Sequence, residues 1–182
     1  VFSQGCLPEG ITFSTQEQID NFQTNYPGCT KIEGDVEMKG DDIENLDGLI
    51  LLISINGNLT IRACNDLSTI DGLSNLELIG GSLSLSETPL SNLTGFSNLS
   101  NLGEDLYIYD TELNNLEGFN NITEINGDIY VQYNDNLTSL TGLNNLTSLV
   151  GRLYVSDNVN LTSLNGIGNI TIIKTLNITS NG

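Results

Sequence analysis

Apolar residues recur along this chain in one phrase: I-x-G-x-L-x-I, a polar turn, then L-x-x-L-x-G-L-x-x-L. In GDVEM (34–38), GNLTI (57–61), GSLSL (81–85), EDLYI (104–108), GDIYV (127–131) and GRLYV (151–155), apolar and polar residues alternate. A period of two predicts a strand with one buried face. In LSTIDGLSNL (67–76) and LTSLTGLNNL (137–146) the apolar positions fall three apart around a glycine. Glycine costs about 1 kcal/mol inside a helix, so a bent strand or tight coil is the better expectation there. Gly48, Gly72, Gly95, Gly118, Gly142 and Gly166 are spaced 24, 23, 23, 24 and 24 residues apart. A second series, Gly34, Gly57, Gly81, Gly127 and Gly151, runs in step, with Glu104 in the place of the missing member. Six full copies begin near Thr30, Ile53, Glu77, Ser100, Thr123 and Thr147, and a seventh begins near Thr171 and breaks off at Gly182. Each copy carries one apolar face that it cannot bury alone, so the copies must stack. At about 4.8 Å per parallel strand, seven coils make a prism roughly 30 Å long, filled by ladders of Leu, Ile and Val. Leu140 and Leu164 occupy equivalent positions and are expected in one buried ladder.

The N-terminal segment departs from the phrase. STQEQIDNF offers Ser14 as an N-cap with Glu17 three residues on, the capping-box spacing. A helix over about 15–25 is expected, with Ile19 and Phe22 on one side and NYPGC ending it. The chain has three cysteines, Cys6, Cys29 and Cys64, whose spacing matches no zinc pattern. The expected arrangement is a Cys6–Cys29 disulfide in an exported protein, with Cys64 free. Residues 1–29 are thus expected to form a disulfide-closed cap over the first coil, and residues 30–182 the solenoid. No matching cap is apparent after residue 170, which suggests a parent protein that continues.

Cys29-x-x-Ile32-x-Gly34-x-Val36, followed by I-x-G-x-L-x-I and L-x-x-L-x-G-L, resembles the receptor L domain of insulin- and EGF-receptor ectodomains. The similarity covers roughly residues 6–182. It implies a mainly β fold, a short right-handed parallel β-helix related to leucine-rich repeats, and a role in extracellular binding.

Composition narrows the function. With 5 Lys+Arg against 23 Asp+Glu, the net charge is -18. Such a surface repels phosphate backbones and anionic membranes, so neither is an expected partner. No segment is long and apolar enough to span a bilayer. Histidine is absent, which removes the commonest general base and metal ligand. Asp41, Asp42, Glu44 and Asp47 cluster without the ligand spacing of a calcium loop and read as a solvated turn. Some β-helices cleave polysaccharides, but the strand positions here are mostly neutral, and no catalytic residue, metal or cofactor is expected. Asn65-Asp66, Asn134-Asp135-Asn136 and Asp157-Asn158 recur in the polar turn, where Asn and Asp tolerate left-handed backbone and stack their side chains. Asn-x-Ser/Thr sequons begin at Asn58, Asn92, Asn98, Asn121, Asn136, Asn145, Asn160, Asn169 and Asn177, positions the repeat itself requires. A column of Ser68, Ser91, Thr138 and Thr162 raises ice binding, but Asn114 breaks it.

The outward strand positions are the most informative. One column reads Glu37, Thr60, Ser84, Tyr107, Tyr130, Tyr154, Asn177, and the next Lys39, Arg62, Ser86, Tyr109, Gln132, Ser156, Thr179. Four of the six tyrosines fall in these columns over three adjacent copies. Alternation that buries Leu106 and Ile108, Ile129 and Val131, and Leu153 and Val155 turns them outward as an aromatic strip with hydroxyls at its surface. Tyr107, Tyr109, Tyr130 and Tyr154, flanked by Gln132, Asp105, Asp128 and Arg152, form the candidate site for a protein or carbohydrate ligand. The expected function is a non-catalytic binding or adhesion module, secreted or at a cell surface. The alternative is a structural spacer in a larger surface protein. Ice binding and a polysaccharide-active enzyme rank below both.

Overall fold

A computed structural model describes residues 5–182. Its strands, in chain order, begin with β1 (Ile11–Phe13), β2 (Lys31–Ile32), β3 (Val36–Met38), β4 (Ser54–Ile55) and β5 (Leu59–Arg62). There follow β6 (Leu78–Ile79), β7 (Leu83–Thr88), β8 (Asn101–Leu102), β9 (Leu106–Thr111) and β10 (Glu124–Ile125). The last are β11 (Ile129–Gln132), β12 (Ser148–Ser156) and β13 (Ile172–Thr179). All pair in parallel within one 13-stranded sheet.

The sheet is two ladders wound side by side. The first runs β1-β3-β5-β7-β9-β11-β12, and the second runs β2-β4-β6-β8-β10-β12, so the long strand β12 belongs to both and β13 pairs with it. In the first ladder Val36 lies opposite Leu59, then Leu83, Leu106, Ile129, Leu153 and Leu176, each 23 or 24 residues on. In the second, Ile32, Ile55, Ile79, Leu102, Ile125 and Leu149 align. The chain is a solenoid whose alternation points these side chains into one continuous core, except Leu176, which is exposed.

The third side is built from the Leu-rich half of each copy. Short 3-10 turns at Asp47–Leu49, Asp71–Leu73 and Thr94–Phe96 stack on one another. Leu49, Leu73, Phe96, Phe119 and Leu143 project inward from this side, and the Phe96 and Phe119 rings stack at 5.8 Å. The glycine that marks the period sits where one coil's backbone presses on the next. A Cβ at Gly72 would overlap the Leu46 carbonyl, and one at Gly95 the Ile70 carbonyl.

From β5 onward, one residue at or just beyond the end of each strand of the first ladder, and of β13, lies in the left-handed region: Ala63, Glu87, Asp110, Tyr133, Asp157 and Ser180, with φ between 48° and 58°. Asn134 and Asn158 were expected to occupy such positions themselves. They instead follow the left-handed residue and turn inward, fully buried. Asn134 Oδ1 accepts from the Thr111 amide and hydroxyl, and its Nδ2 donates to the Ile108 and Gln132 carbonyls and to Asn158 Oδ1. Asn158 repeats the pattern with Asn181. The column satisfies backbone groups that the bend leaves without strand partners.

Four expectations need correction. The helical cap begins one residue later than Ser14/Glu17: Thr15 is the N-cap, its hydroxyl accepts from the Gln18 amide, and Gln18 Oε1 accepts from the Thr15 amide. The helix also divides at Asn21 into α1 (Gln16–Asp20) and α2 (Phe22–Asn25), with Ile19 and Phe22 buried. Leu140 is buried but Leu164 is 43 % exposed, with no coil stacked on its far side among the described residues. Ser156, read as outward, is buried and accepts a hydrogen bond from Gln132. The Cys6–Cys29 disulfide is present, and Cys64 is free and buried. β1, within the segment expected to act as the cap, pairs with β3, and Cys6 bridges to Ile32.

Candidate functional site

The register carries the outward tyrosines into line. β9, β11 and β12 pair Tyr107 with Tyr130 and Tyr130 with Tyr154. The Tyr107 and Tyr130 rings lie parallel, 5.0 Å apart and 3° from coplanar. Tyr154 continues the column at 6.1 Å, tilted by 44°. Tyr109 stands in the neighbouring column, 40 % exposed, and meets the Tyr133 ring edge-on at 5.1 Å. Tyr133, 46 % exposed, was not among the sequence candidates. It occupies the left-handed turn position shared with Ala63 and Asp110, and that repeat position was the signal available to find it.

A second column, one residue ahead of each strand, fixes the carboxylates. Asp35 Oδ1 accepts from the Asn58 amide, Asn58 Oδ1 from the Ser82 amide, and Ser82 Oγ from the Asp105 amide. Asp105 Oδ1 then accepts from the Asp128 amide and Asp128 Oδ1 from the Arg152 amide, each at 2.7 Å. The other oxygen of each aspartate takes a tyrosine hydroxyl: Tyr107 donates to Asp105 Oδ2 at 2.7 Å and Tyr130 to Asp128 Oδ2 at 3.0 Å. These hydroxyls are therefore already engaged, and the strip presents ring surface more than free hydroxyls.

Arg152 completes the arrangement at one end. Its Nε and Nη2 donate to Asp128 Oδ2 at 3.0 and 2.8 Å, Nη2 donates to the Tyr130 hydroxyl at 2.8 Å, and its guanidinium lies 5.8 Å from the Tyr130 ring centre. Bonded to Arg152, the Asp128 carboxyl is held down to about 2. Burial, followed by the Asp105 hydrogen bond, pushes the Tyr107 phenol up to about 12, and burial with Asp128 raises Tyr130. Gln132 donates to Ser156 Oγ. Tyr107, Tyr130, Asp105, Asp128 and Arg152 thus form one bonded surface, which Tyr154 joins by its ring contact, with Tyr109 and Gln132 beside it.

Among the described residues, no His, Cys, Asp or Glu group is placed to hold a metal ion, and no helix is long and apolar enough to cross a membrane. Asp41 and Asp42, in the acidic turn, accept from Asn65 Nδ2 and the Gln16 amide. Several sequon asparagines form a further coil-to-coil ladder: Asn98, Asn121, Asn145 and Asn169 donate Nδ2 to the carbonyls of Ser74, Ser97, Asn120 and Asn144.

Fold and surface together define a parallel β-solenoid with an ordered aromatic sheet face. The family model of the receptor L domain matches residues 28–104, and this stretch is similar to a receptor L domain. The match ends just before Tyr107, so the aromatic strip lies beyond it. No curated protein and no solved structure matches the chain. Receptor L domains are non-catalytic, extracellular modules that bind protein ligands.

Proposed function

We propose that this protein is a non-catalytic, extracellular binding or adhesion module. It engages a protein ligand through the face bearing Tyr107, Tyr109, Tyr130 and Tyr154, with Gln132, Asp105, Asp128 and Arg152 at its margins. The observation that supports this reading is the Tyr107–Tyr130 stack at 5.0 Å on a half-exposed face. Tyrosine offers a rigid apolar surface at low entropic cost, and order before binding reduces what association must still lose. Tyrosine ladders also strengthen sheets, but that role does not call for the aspartate and arginine bonds that hold these rings in one orientation. On the same reading, coils of 23–24 residues extend over 30–182. Of the segment 1–29, residues 5–29, with the helices near 16–25, close the N-terminal end of the stack, and residues 1–4 lie outside the described residues.

A spacer is the second reading, favoured by the unbroken register from Val36 to Leu176. Binding of the chain to an array of displayed extracellular proteins and to a glycan array separates the two. A Tyr107/Tyr130/Tyr154 triple alanine variant, folded by circular dichroism, is expected to lose the contacts that the native chain makes. Retained binding by that variant moves the site elsewhere, and no binding by the native chain favours the spacer. Binding confined to the glycan array replaces the protein ligand with a carbohydrate.

A further inference from the structure

The repeats supply their own controls around Tyr107. Every other member of the Gly34, Gly57, Gly81, Gly127, Gly151 column lacks a side chain, and the reason is steric. A Cβ at Gly57, Gly81, Gly127 or Gly151 would overlap the oxygen of Asp35, Asn58, Asp105 or Asp128 in the preceding coil. At Glu104 the preceding residue is Ser82, which is shorter. The two departures fit together: the serine opens space, and the glutamate enters it, its Oε2 accepting from Ser82 Oγ at 3.3 Å. Nothing in the repeat requires a carboxylate at that point.

The same place is where the aromatic column stops. Tyr130 covers one face of the Tyr107 ring. On the other side the register sets Ser84, then Thr60, both too small to cover it. The result is a depression of about 500 Å³ lined by Asn58, Thr60, Ser82, Ser84, Glu104 and Tyr107. A planar group entering there would form the next rung on the ring stack.

Charge selects the group. At the other end of the strip, an aspartate, a tyrosine hydroxyl and a ring already hold the Arg152 guanidinium. One coil earlier the Asp105–Tyr107 pair has the same bond, but Asp128 stands where Arg152 would be. Arg62 is paired with Glu37 and Arg152 with Asp128, whereas Glu104 receives only the Ser82 hydroxyl. With a net charge of -18, the chain is complementary to a basic partner. Guanidinium is flat, weakly hydrated and always charged, so it stacks face to face on an aromatic ring, whereas a tetrahedral, strongly hydrated ammonium makes only a point-charge contact there.

We propose that the depression beside Tyr107 receives an arginine side chain of a basic protein partner, its guanidinium stacked on the free face of Tyr107 and paired with Glu104. This rests on the tyrosine face being the binding surface and names the contact that anchors the partner there.

The test is an NMR titration of the full chain with three probes: the peptides acetyl-Gly-Arg-Gly-amide and acetyl-Gly-Lys-Gly-amide, and maltotetraose. The arginine peptide is expected to shift the Tyr107 ring and the Ser84 and Glu104 amide signals, and to bind more tightly than the lysine peptide. Glu104→Gln is expected to weaken it by about 1.4- to five-fold, the range for one exposed charge pair. Ser84→Tyr fills the depression with another rung and is expected to abolish the shifts at Tyr107, with the rest of the spectrum showing that the variant is folded. Equal binding of both peptides, preference for maltotetraose, or no shift at these residues overturns the proposal. Shifts confined to Tyr130 and Tyr154 overturn it while leaving the tyrosine face intact as the binding surface, and the triple alanine variant tests that surface separately.

Discussion

Replacing Asn134 by alanine removes the centre of the buried polar column. Its side chain is fully buried and serves the Thr111 amide and hydroxyl, the Ile108 and Gln132 carbonyls, and Asn158. Each buried polar group left without a partner costs about 1–3 kcal/mol. The Thr111 hydroxyl can rotate and the carbonyls retain a second lone pair, so the loss falls mainly on the Thr111 amide and one carbonyl, about 3–4 kcal/mol in total. Thr88 provides the control. It occupies the equivalent position two coils earlier, is buried, and its hydroxyl has no hydrogen-bond partner. Thr88→Val discards nothing the fold uses and is expected to be neutral or mildly stabilising. Urea unfolding followed by circular dichroism measures both. With a slope of about 2 kcal/mol/M, Asn134→Ala should lower the midpoint by about 1.5–2 M, and Thr88→Val should leave it unchanged or raise it. A loss under about 1 kcal/mol for Asn134→Ala, or equal losses for the two variants, would refute the view that this column satisfies the turns.

Other expectations follow from the packing and the charges. Gly72→Ala forces a methyl against the Leu46 carbonyl and should cost about 2–3 kcal/mol, whereas Gly168→Ala, with nothing near its Cβ, should stay within about 0.5 kcal/mol. A thiol assay without reductant should find Cys64 alone, and only after denaturation; reducing Cys6–Cys29 should cost roughly 3 kcal/mol in the loop-entropy model. In an ultraviolet titration Tyr107 should ionise near 12, and Asp105→Asn should bring that step down; a step that does not move would deny the Asp105 bond. The neutral Tyr107 phenol is favoured in the folded state, so its contribution is full below the usual tyrosine range and is lost as pH rises towards 12. Asp128 behaves oppositely: its depressed value gives a contribution present above the ordinary carboxylate range and lost as pH falls towards 2, so Arg152→Ala should flatten the acid limb of the stability curve.

The strands were legible because alternation is a local signal, and Leu59, Leu83 and Leu106 align as the period requires. The glycine spacing was equally plain, but its cause, a carbonyl of the preceding coil, exists only once the coils are stacked. Left-handed backbone was assigned by residue preference to Asn and Asp, yet it also falls on Ala63, Glu87 and Tyr133, since closure of the coil sets the dihedral whatever the side chain. Leu164 was misjudged because a repeat assigns every copy the same environment, while burial needs a neighbour on both sides. The outward tyrosines were read correctly as a column. The direction of their hydroxyls was not, because it depends on side-chain rotation towards the aspartate two residues earlier. The depression beside Tyr107 was missed because it is made by what is small, Ser84 and Ser82, and by one glutamate in a glycine's place.

Hydroxyl-radical footprinting addresses the binding face directly. The chain is saturated with the tightest binder from the displayed-protein array, and oxidation of each tyrosine is compared with that of the free chain. If the sheet face is the contact surface, Tyr107, Tyr109, Tyr130, Tyr133 and Tyr154 become protected while Tyr26, beside the N-terminal helices, reacts as before. Undiminished oxidation of the five, with protection on the Leu-rich side of the solenoid instead, would contradict it.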